Sequence, residues 1–212
     1  MPELLGQNQA ADRDDGLVRR LKCGSAEAFE ELLDSYQGPI YGFVFRLLDD
    51  SSEAADVTQE VFLKVFRKIE GFRSECSLKT WLYRIAVHEA ANRRRWFSRH
   101  RRNEFSVDAA REEAGLGWTQ LADQRGTPFD WLEQREQIDI VESCLREIDS
   151  RLRAAVVLRD IEGHSYNEIA ATLEISLGTV KSRILRGREA LKRRLEKRLR
   201  AAAPDAWSLQ TE

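Results

Sequence analysis

Apolar residues in this chain recur at intervals of three and four, and that spacing limits its fold more than any other feature. Val57, Val61, Val65 and Ile69 form one stripe with Phe62 and Phe66 beside it, and Phe29, Leu32, Leu33 and Tyr36 repeat the pattern upstream. Stripes of this period suit helices that bury one face, whereas a half-buried strand needs strict alternation, and alternating β-branched runs are few. Only 4 prolines occur among the 212 residues. The chain is therefore predicted to be all-α: two small helical domains joined by a linker, the C-terminal one containing a helix-turn-helix.

Breaks in the periodicity place the boundaries. Residues 1–24 read as an N-terminal segment, 25–102 as the first domain, 103–131 as an acidic linker, 132–200 as the second domain and 201–212 as a tail. Ala26 to Leu48 predicts one or two helices, because Gly38-Pro39 disturbs the pattern. The next helix, capped by Ser51 or Ser52, runs to Ile69 and ends at Gly71. A polar loop from Phe72 to Lys79 then leads into a helix with Leu78, Trp81, Leu82 and Ile85 on its inward face. From Asn103 to about Trp131 the periodicity fades, and up to Glu133 seven acids stand against two arginines. After this stretch, Leu132 to Leu145, Asp149 to Ile161, Tyr166 to Leu173 and Leu177 to Arg200 predict four helices.

The stretch SYNEIAATLEISLGTVKSRILRGRE, Ser165 to Glu189, holds the strongest local signal. Ser165-x-x-Glu168 is a capping box, which starts a helix. Ile169, Leu173, Ile175, Val180 and Ile184 close that helix, a short turn and a second helix around one small core, with Ala170 at the crossing. Ser176 can cap the second helix, whose first turn carries Gly178 and Thr179, where backbone N–H groups favour a phosphate. Lys181, Ser182, Arg183 and Arg186 project away from the apolar side, an arrangement suited to a helix in the major groove. Glu174 is a departure, because many such motifs carry glycine at the turn.

Charge is polarised along the chain. The formal net charge is −2, yet residues 1–70 hold 14 acids and 8 bases, residues 177–200 hold 10 bases and 2 acids, and NRRRWFSRHRR (92–102) holds six arginines and no acid. The basic stretches suit an anionic polymer and the acidic half suits a basic partner. Cys23, Cys76 and Cys144 form no CxxC pair, which argues against structural zinc or a disulfide framework. No run of eighteen apolar residues occurs, and the N-terminus has neither a basic n-region nor an apolar h-region. A cytoplasmic protein without cofactor or metal and without direct membrane insertion is the expectation.

With DVTQEVFLKVF (Asp56 to Phe66) and SLKTWLYRIAVHEAANRRR (Ser77 to Arg95), the Ser165 to Glu189 stretch resembles a bacterial RNA polymerase sigma factor of the extracytoplasmic-function group. The likeness covers about Ala26 to Arg95 and Leu132 to Leu195. It implies a subunit that binds core RNA polymerase and directs promoter-specific initiation, recognising the minus-thirty-five duplex and opening the minus-ten element. By resemblance, Asp56, Gln59, Glu60 and Leu63 would meet the core polymerase; the first three also lie off the valine stripe. Phe72, Arg73, Lys79, Trp81, Tyr83, Arg84, His88, Asn92 and Arg93 match the minus-ten segment. Single-strand capture needs planar surfaces beside cations, which this set contains. Thr179, Lys181, Ser182, Arg183 and Arg186 match the minus-thirty-five reader. Housekeeping relatives carry two adjacent tryptophans where this chain has Trp81-Leu82, which implies weaker melting, and His88 replaces the asparagine of some relatives. An anti-sigma factor is a further implied partner.

Two other functions fit parts of the sequence. His88-Glu-Ala-Ala-Asn92 nearly spells the HExxH of zinc hydrolases, but the fifth position lacks the second imidazole, and no enzyme is expected. A self-sufficient helix-turn-helix repressor would dimerise and bind a palindrome without polymerase.

Overall fold

The computed structural model describes residues 15–100 and 128–202, with only the backbone of 96–100, 128–136 and 201–202. All regular structure among them is helical. Helix α1 covers residues 15–22, α2 Ala26–Leu48, α3 Ser51–Lys68, α4 Leu78–His100, α5 Pro128–Arg146, α6 Ser150–Val156, α7 Tyr166–Leu173 and α8 Leu177–Ala202. Nearly all of the acidic stretch assigned as a linker, Trp118 included, and most of the tail lie outside the described residues.

Helices α2, α3 and α4 pack on one another as the N-terminal half. Leu32, Ile40, Phe43, Val44, Val57, Val61, Val65, Leu78 and Leu82 are its buried interior. Helix α1, which lies in the segment read only as an N-terminal extension, adds Leu17, Val18 and Leu21 to that interior. Lys22 Nζ fastens it to the Phe72 carbonyl at 2.5 Å. Helix α2 is one continuous helix despite Pro39. Gly38 and Pro39 are exposed, so the break in apolar spacing lies on the solvent side, while Ile40 and Phe43 keep the buried stripe. Asp50, rather than either serine, caps α3, with Oδ1 accepting from Glu53 N–H at 2.9 Å. A 3-10 turn at Ile69–Gly71 ends that helix, as the glycine suggests.

The C-terminal half is built on α6 crossing α8. Gly187 makes the crossing close: a Cβ there would sit 2.5 Å from Val156 Cγ2 and 3.2 Å from the Leu152 carbonyl oxygen. The predicted single helix from Asp149 to Ile161 is instead α6, capped by Asp149, followed by a π turn at Val157–Ile161. The extra residue of that turn rotates the chain beyond it, and Glu162 and His164 face the N-terminal half.

The two halves touch. Helix α7 lies along α4, and α2 meets α5 and α6. Much of the contact is polar: Arg46 lies 3.4 Å from Glu142 and 3.8 Å from Glu162, Arg146 pairs with Asp49 at 2.7 Å, and Arg153 Nη1 donates to the Arg46 carbonyl at 3.0 Å.

Candidate nucleic-acid interface

The helix-turn-helix forms as its caps dictate. Ser165 Oγ accepts from Glu168 N–H at 3.2 Å while the Glu168 carboxylate accepts from Ser165 N–H at 2.7 Å, completing the capping box. Glu174 ends α7 in the left-handed region at φ 54°. A glycine would take that conformation without strain; the glutamate takes it and places its carboxylate 3.5 Å from His88 Nε2. Ser176 Oγ accepts from Thr179 N–H at 3.3 Å, so α8 is capped at its N-terminus.

Val180 and Ile184 are buried under α8, and Lys181 and Arg186 are exposed, with Thr179, Ser182 and Arg183 half-buried beside them. Lys181, Arg183 and Arg186 enter no ion pair among the described residues. The later cations of the helix differ: Arg188 pairs with Asp160, and Arg194 and Arg198 with Glu147. Thus α8 divides into an N-terminal part whose cations have no ion pair among the described residues and a C-terminal part in which Arg188, Arg194 and Arg198 fasten it to its own domain.

On α4 the arrangement differs from the sequence expectation of open ring faces. Tyr83 is fully buried, its ring 5.1 Å from Phe43 and 4.7 Å from His164, and its hydroxyl donates to the Glu162 carboxylate. Burial and the neighbouring carboxylate push the Tyr83 hydroxyl far above its ordinary pKa, and burial also raises that of Glu162. Phe72 is 6 % exposed, tilted against half-buried Trp81 at 4.9 Å. The correction has a physical cause: Phe72 and Tyr83 are large enough to close the core where α1 and α7 approach α4. Lys79 Nζ donates to the Glu162 carbonyl at 2.6 Å and Arg84 Nε to the Ala171 carbonyl at 3.0 Å. Arg73, His88 and Asn92 remain exposed.

Arg93, expected to face DNA, lies among three carboxylates of α3: Glu53 at 2.7 Å, Glu60 at 3.3 Å and Asp56 at 3.8 Å. Asp56 and Glu60 are therefore partly neutralised within the chain, contrary to the expectation of a free acidic face. Gln59 and Leu63 instead line an open groove between α2 and α3 with Phe29, Leu33, Tyr41 and Phe66. Phe66 is 61 % and Leu63 46 % exposed, yet Phe66 packs on Phe29 with ring centroids 4.9 Å apart. The docking set drawn from the resemblance did not include Leu33 and Phe66, which the sequence places in or beside the apolar stripes. The available signal was that these stripes are wider than one core face needs.

The comparisons agree with this division. The family model described as sigma-70 region 2 matches residues 32–102, and that of sigma-70 region 4 matches residues 138–191. The RNA polymerase sigma-H factor of Pseudomonas aeruginosa is 38 % identical over 194 residues, which are 90 % of this chain and 98 % of that one. The chain belongs to the extracytoplasmic-function sigma factors. The sigma-E factor of Escherichia coli, also of this group, is 34 % identical over 191 residues, 88 % of this chain and 96 % of that one. Among solved structures, CnrH in complex with the cytosolic domain of CnrY shares the fold with a TM-score of 0.63 at 22 % identity, covering 87 % of this chain and 97 % of that one. The sigma factor RpoE of Bartonella quintana, in complex with the anti-sigma factor NepR, does so at 0.61 and 23 %, covering 81 % and 98 %. As a sigma factor, the protein recognises promoters and initiates transcription with core RNA polymerase.

Proposed function

We propose that this sigma factor distributes its work over three surfaces. The groove between α2 and α3, with Gln59, Leu63 and Phe66, takes an apolar-faced element of core polymerase, and Asp56 and Glu60 on its flank meet basic groups there. Helix α4 and the loop before it, through Arg73, Lys79, Trp81, Arg84, His88 and Asn92, take the minus-ten element. Helix α8, through Thr179, Lys181, Ser182, Arg183 and Arg186, reads the minus-thirty-five duplex. The observation that carries this reading is the unneutralised Lys181, Arg183 and Arg186 on a doubly capped helix-turn-helix. That helix end can enter a major groove without breaking any ion pair made among the described residues.

Run-off transcription with core polymerase and genomic fragments tests it. Transcripts starting downstream of a shared, asymmetric two-part motif are expected; a palindromic footprint made without polymerase would point instead to a repressor. No described helix is long and apolar enough to cross a membrane, which suits work on polymerase in the cytoplasm, and the protein acts without catalysis of its own. An anti-sigma partner is proposed from the two complexes named above, and a heterodimer of the protein in cell extract is the expected sign of it.

A further inference from the structure

Between Gly71 and Leu78 the chain passes from α3 to α4 in a loop that carries Arg73, which is exposed and enters no ion pair among the described residues. The next residue, Ser74, stands at φ 54°. That left-handed conformation is rare for a residue with a side chain and persists where the surrounding contacts hold it.

Both ends of the loop are held. At its far end Ser77 Oγ accepts from Thr80 N–H at 3.1 Å and starts α4. At its near end Phe72 is fixed at three points: its N–H donates to the Ile69 carbonyl at 3.1 Å, its ring lies 4.9 Å from that of Trp81, and its carbonyl accepts from Lys22 Nζ at 2.5 Å. The third contact acts on the peptide that joins Phe72 to Arg73. Because that peptide is planar, the constraint passes directly to the Arg73 Cα.

Lys22 is itself firmly mounted. It ends α1, whose Leu17, Val18 and Leu21 are buried. Beyond it Gly24 turns the chain at φ 75°, with Gly24 N–H donating to the Leu21 carbonyl at 3.0 Å and Ser25 N–H to the Arg20 carbonyl at 3.1 Å. An ammonium on a carbonyl makes a charge-assisted bond, stronger than a neutral one. The other cations of α1 are engaged elsewhere: Arg19 bonds the Asp15 carbonyl and Arg20 pairs with Glu31.

We propose that Lys22 is a positioning residue for minus-ten recognition: by holding the Phe72 carbonyl it sets the arch of the loop and so aims Arg73 at the minus-ten element. The proposal rests on the reading of this loop and α4 as the minus-ten surface. It gives α1 a task in promoter reading beyond its share of the core.

The test uses holoenzyme reconstituted from core polymerase and the full chain. The probe is a fluorescein-labelled fork DNA cut from a run-off promoter, duplex across the minus-thirty-five element and single-stranded across the minus-ten element, with binding read by anisotropy. Lys22→Met should weaken fork binding about tenfold, the scale of one charge-assisted hydrogen bond, and leave binding of the duplex minus-thirty-five half unchanged. Lys22→Arg keeps a charged donor and should recover most of the loss. Arg73→Ala should also weaken fork binding, and adding Lys22→Met to it should cost nothing more, because a positioning residue acts through the group it positions. Arg20→Ala removes another cation of α1 and should change nothing. Lys22→Ala replaces the methionine variant if circular dichroism shows that one misfolded. The proposal is overturned if Lys22→Met binds the fork as the wild type does, or if Arg20→Ala loses as much. It is also overturned if the two losses multiply in the double variant, which would make Lys22 a DNA contact in its own right. Undiminished fork binding by Arg73→Ala would sink the minus-ten reading of the loop and the proposal with it, whereas a loss with Arg73→Ala and none with Lys22→Met would sink the proposal alone.

Discussion

His164 is a buried imidazole whose two ring nitrogens have no hydrogen-bond partner among the described residues. Burial, with Lys79 beside it, lowers its pKa from 6.5 to about 4, although Glu168 acts the other way. The fold thus favours the neutral ring, and the unfolded chain binds the extra proton. This contribution is complete above pH 6.5 and is lost as the pH falls towards 4, by about 3 kcal/mol in all. Glu162 works in the opposite sense, since its raised pKa favours the folded state at lower pH. His164→Leu should therefore flatten the fall in stability between pH 6.5 and 4, as measured by urea unfolding at several pH values. Arg183 makes a second test on a single side chain. If it contacts a base edge with both nitrogens, Arg183→Ala should weaken promoter binding by about 1–3 kcal/mol and relax preference at one base pair. Binding of a set of single-base promoter variants by the holoenzyme would reveal it. An equal loss on every sequence would place the contact on phosphate.

Helix α8 owes its position to one glycine. Gly187→Ala puts a methyl group into Val156 and towards the Leu152 backbone. The gain in helix propensity is about 1 kcal/mol, but overpacking against a helix backbone costs about 1–3 kcal/mol. A net loss of about 1 kcal/mol is expected by thermal unfolding, with weaker minus-thirty-five binding because α8 shifts on α6. Elements of this kind were readable in advance where the signal is local. The capping box at Ser165, the cap at Ser176 and the limits of α7 follow from hydrogen bonds across three or four residues. The π turn at Val157–Ile161 was not readable, because its residues include no glycine or proline to mark it. The continuity of α2 through Pro39 came from packing on its buried face, which outweighed a local break.

For the molecule as a unit, the groove proposed to take polymerase and the contact between the halves are different surfaces. The groove of Leu63 and Phe66 lies between α2 and α3, whereas the interdomain contact runs from the C-terminal end of α2 along α4. Replacing both groove residues, Leu63→Glu with Phe66→Glu, should lower stability by only about 1 kcal/mol, the worth of the ring contact that Phe66 gives up with Phe29, and leave the protein folded. It should nevertheless reduce affinity for core polymerase by about 2 kcal/mol or more, roughly thirtyfold, as loss of an apolar anchor does. Size-exclusion chromatography with core polymerase would report the loss, and a holoenzyme formed at unchanged affinity would refute the groove assignment.

The helical class, the helix-turn-helix and the outward cations of α8 could be read from the chain alone, since stripe period, caps and charge act over one or two helical turns. The fates of Tyr83, Arg84 and Arg93 could not. Tyr83 meets Glu162 across 79 positions, Arg84 meets Ala171 across 87, and Arg93 meets Glu53 across 40. Which cation lies open and which is neutralised depends on the partner that folding brings to it, and no periodicity along the chain records that distance.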